Sequence, residues 1–287
     1  MTLRMPDYLI ERARALVEGG NWQPPLPRDA TTVVLLRDGA SGLEVCLLRR
    51  STELPFAPGV HVFPGGALDP SDFDIPIAGV ADGERLAAKA PALAAALVMA
   101  GVRETFEEVG VLLATTADGR AASPDGEWLA DRASAAAGGL SDVLARRGLT
   151  VAADHLAPIA HWVTPAVEAR RYDVRFLVAA MPDGQQVDVD GSEIVAAVWL
   201  PPAVAVAGAD SGEYPMLPPT RAVLAALSEA ASVRAAFDVA GSQTIRPLMP
   251  APIAVGPDLG WVLVDAYTGE HLSEIDMPAG SEVAGSS

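Results

Sequence analysis

Residues 95–113 read AALVMAGVRETFEEVGVLL. Small and apolar residues fill the first half, charged residues then enter at helical spacing, and Gly110 stands where a left-handed cap would end the helix. The spacing predicts a helix from about Ala92 to Val109. Glu104 and Glu108 are four apart and Glu107 is one turn from Glu104, so three carboxylates crowd adjacent positions of one short helix. Like charges so placed cost roughly 0.2–0.5 kcal/mol per pair. Arg103 can pair with Glu107 at the i, i+4 spacing but cannot neutralise the whole cluster. Hard divalent cations such as Mg²⁺ and Mn²⁺ prefer carboxylate oxygens and retain several waters, so a helix edge carrying acids supplies part of such a shell. A solvated acidic helix face is the alternative that the residues alone leave open.

Outward from this helix, TTVVLLRD (31–38) and LEVCLLRR (43–50) read as strands joined by the turn DGASG, and a loop then ends in HVFPGG (61–66). The stretch LDPSDFDIPIAGVADG (68–83) holds too many breakers for regular structure. Downstream come an Ala-rich helical segment, Glu127 to Arg147, and three strands, IAHWVTP, YDVRFLVAA and EIVAAVWL. A helix follows Pro201, another spans Thr220 to Ala231, and GWVLVDAY is a late strand. Strands interleaved with helices indicate the mixed α/β class. The chain divides into an amphipathic helix and Pro-rich connector (1–28), a main domain (29–207) with insertions at 67–91 and 123–150, and a helical extension (208–287) packed on that domain.

A chain of 287 residues with half its residues apolar can bury a sizeable core. No apolar run approaches the roughly 20 residues that cross a bilayer. The first residues lack a signal-peptide core, the last are AGSS, and the single cysteine, Cys46, sits in an apolar strand-like run. The expected location is therefore the cytoplasm, with Cys46 a small buried hydrophobe. A formal charge of −17 repels polyphosphate backbones, so neither nucleic acid nor a membrane is an expected partner; a homodimer is left open. His61 and His161 alternate with apolar residues and read as structural histidines. Gly-x-Ser-x-Gly, P-loop and HExxH patterns are absent.

The order Arg103, Glu104, Glu107, Glu108, Gly110, Val111 resembles the second half of the Nudix box, and Phe63 to Gly66 resembles the approach to its first half. The usual box separates the second glycine from the arginine by fourteen positions. Here Gly66 and Arg103 are 37 apart, and the acid six positions after Gly66 is Asp72 instead of Glu. The stretch 47–72, the delayed VRETFEEVGVLL, WVTPAVEARRYDVRFLVA and MLPPTRAVLAAL together resemble the nudix motif 19, coenzyme A diphosphatase-like branch of the Nudix hydrolases. That resemblance covers about Thr31 to beyond Leu224.

The resemblance implies a Nudix fold, a mixed sheet sandwiched between helices, and phosphoanhydride hydrolysis with Mg²⁺ or Mn²⁺. By analogy Glu104 and Glu108 are direct metal ligands, Glu107 is a ligand or the partner of Arg103, and Glu193 is the further acid from a later strand. Gly65 and Gly66 would let the backbone approach closely and turn. Substrate phosphates need cations, for which Arg49, Arg50, Arg170 and Arg171 are candidates, with Arg175 nearby. The implied substrate is a small nucleotide derivative, first coenzyme A or an acyl-CoA. NADH, ADP-ribose or a nucleotide sugar is the alternative, and a catalytically silent Nudix-fold binding module is a third reading. The coenzyme A signature expects an Arg where Pro55 stands.

Overall fold

The computed structural model describes residues 7–54, 57–256 and 258–274, so Pro55 and the tail after 274 lie outside the described residues. The first helix, α1 (Asp7–Glu18), sets Leu9 and Ala13 against Val167. β1 (Arg28–Gly39) and β2 (Gly42–Arg50) form a hairpin paired from Leu36–Val45 to Gly39–Gly42. Beyond that the two strands diverge, and the chain fills the fork between them. There β3 (His61–Val62) pairs with β2, and β4 (Gly65–Ala67) pairs with β1.

The Asp- and Pro-rich stretch has more order than its composition predicts. Pro70–Phe73 is a 3₁₀ turn whose capping residue, Asp69, exchanges hydrogen bonds with the turn, and β5 (Ile77–Ala78) follows. α2 (Pro91–Val109) begins on a proline and ends at Gly110, whose φ of 68° is the left-handed cap expected from the sequence. Gly101 lets α2 cross β1 closely, because a Cβ there would come within 2.9 Å of the Thr31 and Val33 methyls.

β6 (Thr115–Thr116) leads to the Ala-rich segment, which is two helices, α3 (Trp128–Ser134) and α4 (Leu140–Arg147). A wide turn joins them, bent at Gly138 with φ 86°, so one continuous helix is not formed. β7 (Leu149–Ala152) pairs with β5 and β6 in a small side sheet. β8 (Leu156–Val163), β9 (Tyr172–Ala180) and β10 (Ile194–Leu200) are the three expected strands, and α5 (Pro202–Ser211) follows.

The segment from residue 208 is not purely helical. After α6 (Pro218–Leu227) and α7 (Val233–Ser242) come β11 (Pro247–Val255), β12 (Asp258–Asp265) and β13 (His271–Glu274). β11 was hidden by its prolines. Among the described residues it pairs with β8 only at Pro247 and Leu248, so along the rest of that side Pro250 and Pro252 have no ladder to break.

The main sheet runs β10-β2-β1-β9-β8-β11-β12-β13, mostly antiparallel, with parallel pairs β1-β9 and β8-β11. Its central strands are buried on both faces, which explains their near-continuous apolar runs. Val33, Leu35, Cys46, Leu48, Leu177 and Ala179 face the core beneath α2, α3 and α4. Val34, Leu36, Val45, Leu47, Phe176 and Val178 face α5, α6 and α7. The protein is thus an α/β/α sandwich around a mixed sheet. Cys46 lies in the first core, where burial pushes its thiol up to about 12, as expected of an inert hydrophobe.

Candidate active site

The splayed end of β1 and β2 and the glutamate edge of α2 meet at Gly65 and Gly66, which pair with Thr32 and Thr31 of β1. The Gly65 N–H donates to Glu108 Oε2 at 3.0 Å. A side chain at either glycine is excluded by contact: a Cβ on Gly65 would strike the Thr31 carbonyl, and one on Gly66 would strike the Glu104 carboxylate. The two glycines therefore bring the loop backbone against the acids.

Arg103 organises the same edge from below. Its Nε and Nη2 grip both oxygens of Asp72 at 2.9 and 3.1 Å, Nη1 reaches Glu104 at 2.8 Å and Glu107 at 3.3 Å, and Nη2 also donates to the Ala67 carbonyl. Arg103 and Asp72 are both buried. Asp72 is held in turn by the Asp69 N–H. The acid six positions after Gly66 thus meets the arginine of the helix despite the long separation, and all 23 extra residues lie between Asp72 and Arg103. Sequence spacing could not show this, because the excursion closes only through the Asp72 turn. The inserted chain is tied down elsewhere by Leu86, whose carbonyl accepts from Arg175, and by Arg85, which donates to Pro158 and to the Ala240 carbonyl of α7.

The cluster is short of positive charge. Burial pushes Glu107 up to about 7, with Glu104 adding repulsion and Arg103 opposing. Burial pushes Glu108 up to about 8; the Gly65 N–H opposes, Glu104 and Glu193 add repulsion, and Arg50 opposes. Glu104 is also raised, by burial first. Although burial works against its charge, Asp72, Glu104 and Glu107 hold Arg103 protonated above its ordinary value. Among the described residues no three His, Cys, Asp or Glu side chains already converge as a cation cage. An all-oxygen donor set whose carboxylates are raised by burial and by one another nevertheless fits a hard divalent cation, whose charge would offset both effects.

The remaining candidates divide. Glu193, exposed just before β10, is close enough to repel Glu104 and Glu108, and its carbonyl accepts from the Ser51 N–H. Arg50, at the end of β2, acts on Glu108, and its buried Nε has no partner. Arg49 is exposed beside His61. Arg170 and Arg171 are not brought to the glutamates. Arg170 is exposed, and Arg171 donates to the Thr164 and Pro25 carbonyls four residues before Arg175, the partner of Thr31, or roughly 13 Å along the strand. Arg175 is buried with His161 in a separate polar cluster around Asp173, and His61 packs edge-on against Tyr214.

No protein-family model matches the chain. A solved structure, the NUDIX hydrolase from Alicyclobacillus acidocaldarius, superposes with a TM-score of 0.64 at 32% identity, covering 77% of this chain and 99% of that one. The chain belongs to the Nudix hydrolases. Among curated relatives, nudix hydrolase 7 of Caenorhabditis elegans is 29% identical over 233 residues, 79% of this chain and 69% of its own length. Acyl-coenzyme A diphosphatase NUDT19 of Gallus gallus is 27% identical, and the alignment spans 63% of this chain and 60% of that relative. Among the described residues no helix is long and apolar enough to cross a membrane.

Proposed function

We propose that this Nudix hydrolase uses Mg²⁺ or Mn²⁺ to cleave the phosphoanhydride of a nucleoside-diphosphate derivative, with coenzyme A or an acyl-CoA as the first substrate to test. The observation that carries the reading is the Asp72–Arg103 clamp on Glu104 and Glu107, beside Glu108 held by the Gly65 N–H of the Gly65–Gly66 loop. Glu104 and Glu108 would hold the cation, with Glu107 shared with Arg103 and Glu193 adding an acid from the residue before β10. A bound cation supplies neutralisation of phosphate oxygens and a more acidic water. The reaction adds water to phosphorus, breaks one P–O anhydride bond, and leaves a proton on a nearby carboxylate. Arg50, with its unpartnered Nε, and Arg49 would meet the anion; Arg171 serves the fold through its two carbonyl partners.

The choice of coenzyme A is supported by the likeness to the chicken acyl-coenzyme A diphosphatase. Charge and the buried lone cysteine support a cytoplasmic enzyme that does not act on nucleic acid. A screen of purified protein with added Mg²⁺ or Mn²⁺ against coenzyme A, acyl-CoA, NADH, ADP-ribose and nucleotide sugars tests the proposal. Cleavage of the first two, lost with chelator, is expected. Turnover of only the others would overturn the coenzyme A reading, and turnover unaffected by chelator would overturn the metal reading.

A further inference from the structure

The last carbonyls of a helix lack partners within it and must find them elsewhere. In α2 these belong to the turn that carries two of the glutamates, and every one is taken by a group from outside the helix. Arg132 of α3 donates from Nε to the Glu107 carbonyl and from Nη2 to the Glu108 carbonyl, both at 2.8 Å. The Asp188 N–H donates to Val109 at 2.9 Å, and the Trp128 indole N–H donates to Gly110 at 2.8 Å. Trp128 also packs edge-on against Phe106, the α2 residue immediately before Glu107. Arg132 is buried, and its third nitrogen lies 3.5 Å from Asp188.

We infer that Arg132 is a positioning residue for the glutamate edge. One planar guanidinium spans two consecutive carbonyls and fixes the peptide units from which Glu107 and Glu108 project, while its charge favours the negative end of the helix. This gives the α3 segment a role in the site although it contributes no group to the glutamate cluster. Glycine at 110 is set by the backbone and not by crowding from Arg132: its φ of 68° is one that L residues rarely adopt, while a Cβ there would meet Arg132 Nη1 only at an ordinary contact distance of 3.7 Å. The inference rests on the glutamates being the cation site.

The test titrates Mn²⁺ into the full chain and follows free ion by electron paramagnetic resonance, with folding checked by circular dichroism. In Arg132→Met the Mn²⁺ dissociation constant should rise about tenfold, the lower end of the effect typical of groups that orient metal ligands. Arg132→Lys keeps the charge but cannot span both carbonyls, so it should fall between wild type and Met. If the Met variant fails to fold, Arg132→Lys together with Trp128→Phe, which removes the N–H to Gly110 along with part of the buried indole ring, decides the matter through a smaller weakening of Mn²⁺ binding in the folded variants. Lower thermal stability with wild-type Mn²⁺ affinity in the folded variants would show a merely structural role and overturn the inference. Glu108→Gln run alongside separates the two levels: wild-type Mn²⁺ affinity in that variant would remove the cation-site reading itself.

Discussion

Two polar clusters face the α2 side of the sheet, and they differ in charge balance. At the glutamate edge, Arg103 directly contacts three acids, Asp72, Glu104 and Glu107, while among the described residues Glu108 has a backbone N–H and the more distant Arg50 to oppose its charge. In the second cluster Arg175 pairs with Asp29 at 2.6 Å and Asp173 at 2.9 Å, His161 meets Asp173, and the Tyr267 hydroxyl donates to Asp173 at 2.8 Å. The first holds glutamates above their ordinary range. In the second, burial would raise Asp173, yet His161 and Arg175 hold it below its ordinary value. Unbalanced buried acid is costly for folding and useful for binding a cation; balanced acid ties β1, β8, β9 and the turn after β12 together.

The comparison breaks if the two clusters respond alike to neutralisation. Glu108→Gln should lower kcat at least about 100-fold, beyond the usual cost of removing an orienting group, while the metal-free protein is at least as stable as wild type. Kinetics and thermal melts in chelator on the same preparation check both halves. Melting far below wild type in Glu108→Gln would place that glutamate among the structural acids.

Asp173→Asn should do the reverse. Breaking a buried charged pair costs about 3–5 kcal/mol, because Arg175 and His161 lose their shared acceptor charge. Denaturant titration should show that loss while Mn²⁺ affinity of the folded protein is retained. A stable Asp173→Asn variant that no longer binds Mn²⁺ would merge the two clusters into one site.

The remaining contrast is the pH dependence, where the two clusters have opposite signs. Glu108, raised from 4.5 to about 8, binds more protons in the native than in the unfolded state through that window. Its contribution to stability therefore falls as pH rises from about 5 to 8, and Glu107, raised to about 7, acts in the same direction. Asp173 is lowered from 3.8, so the stability it adds is present above that value and is lost as pH falls through its folded value. Melts in chelator should decline toward pH 8, and Mg²⁺ should flatten that decline. A metal-free profile that rises over the same range would contradict the charge imbalance assigned to the glutamates.

The glutamate helix, its Gly110 stop, the β1–β2 hairpin and β8 to β10 were legible because each rests on local periodicity or a local breaker, which the chain carries wherever it folds. β11 was not legible, since its prolines are tolerated where, among the described residues, most of one edge has no partner strand. Nor was the break between α3 and α4, where Gly138 takes a left-handed conformation amid helix-forming alanines.

For the site, the order of residues determined which acids share one helix edge, and the tertiary structure decided what holds them. Asp72 and Arg103 meet across 31 positions, and Arg132 reaches the carbonyls of Glu107 and Glu108 from another helix. The backbone carbonyls that Arg132 grips carry no side-chain identity, so no pattern of letters marks them. The separation of Arg171 from the glutamates was likewise a matter of strand register: neighbouring arginines look equivalent in sequence, but only the pairing of β1 with β9 fixes how far along the sheet each one lies.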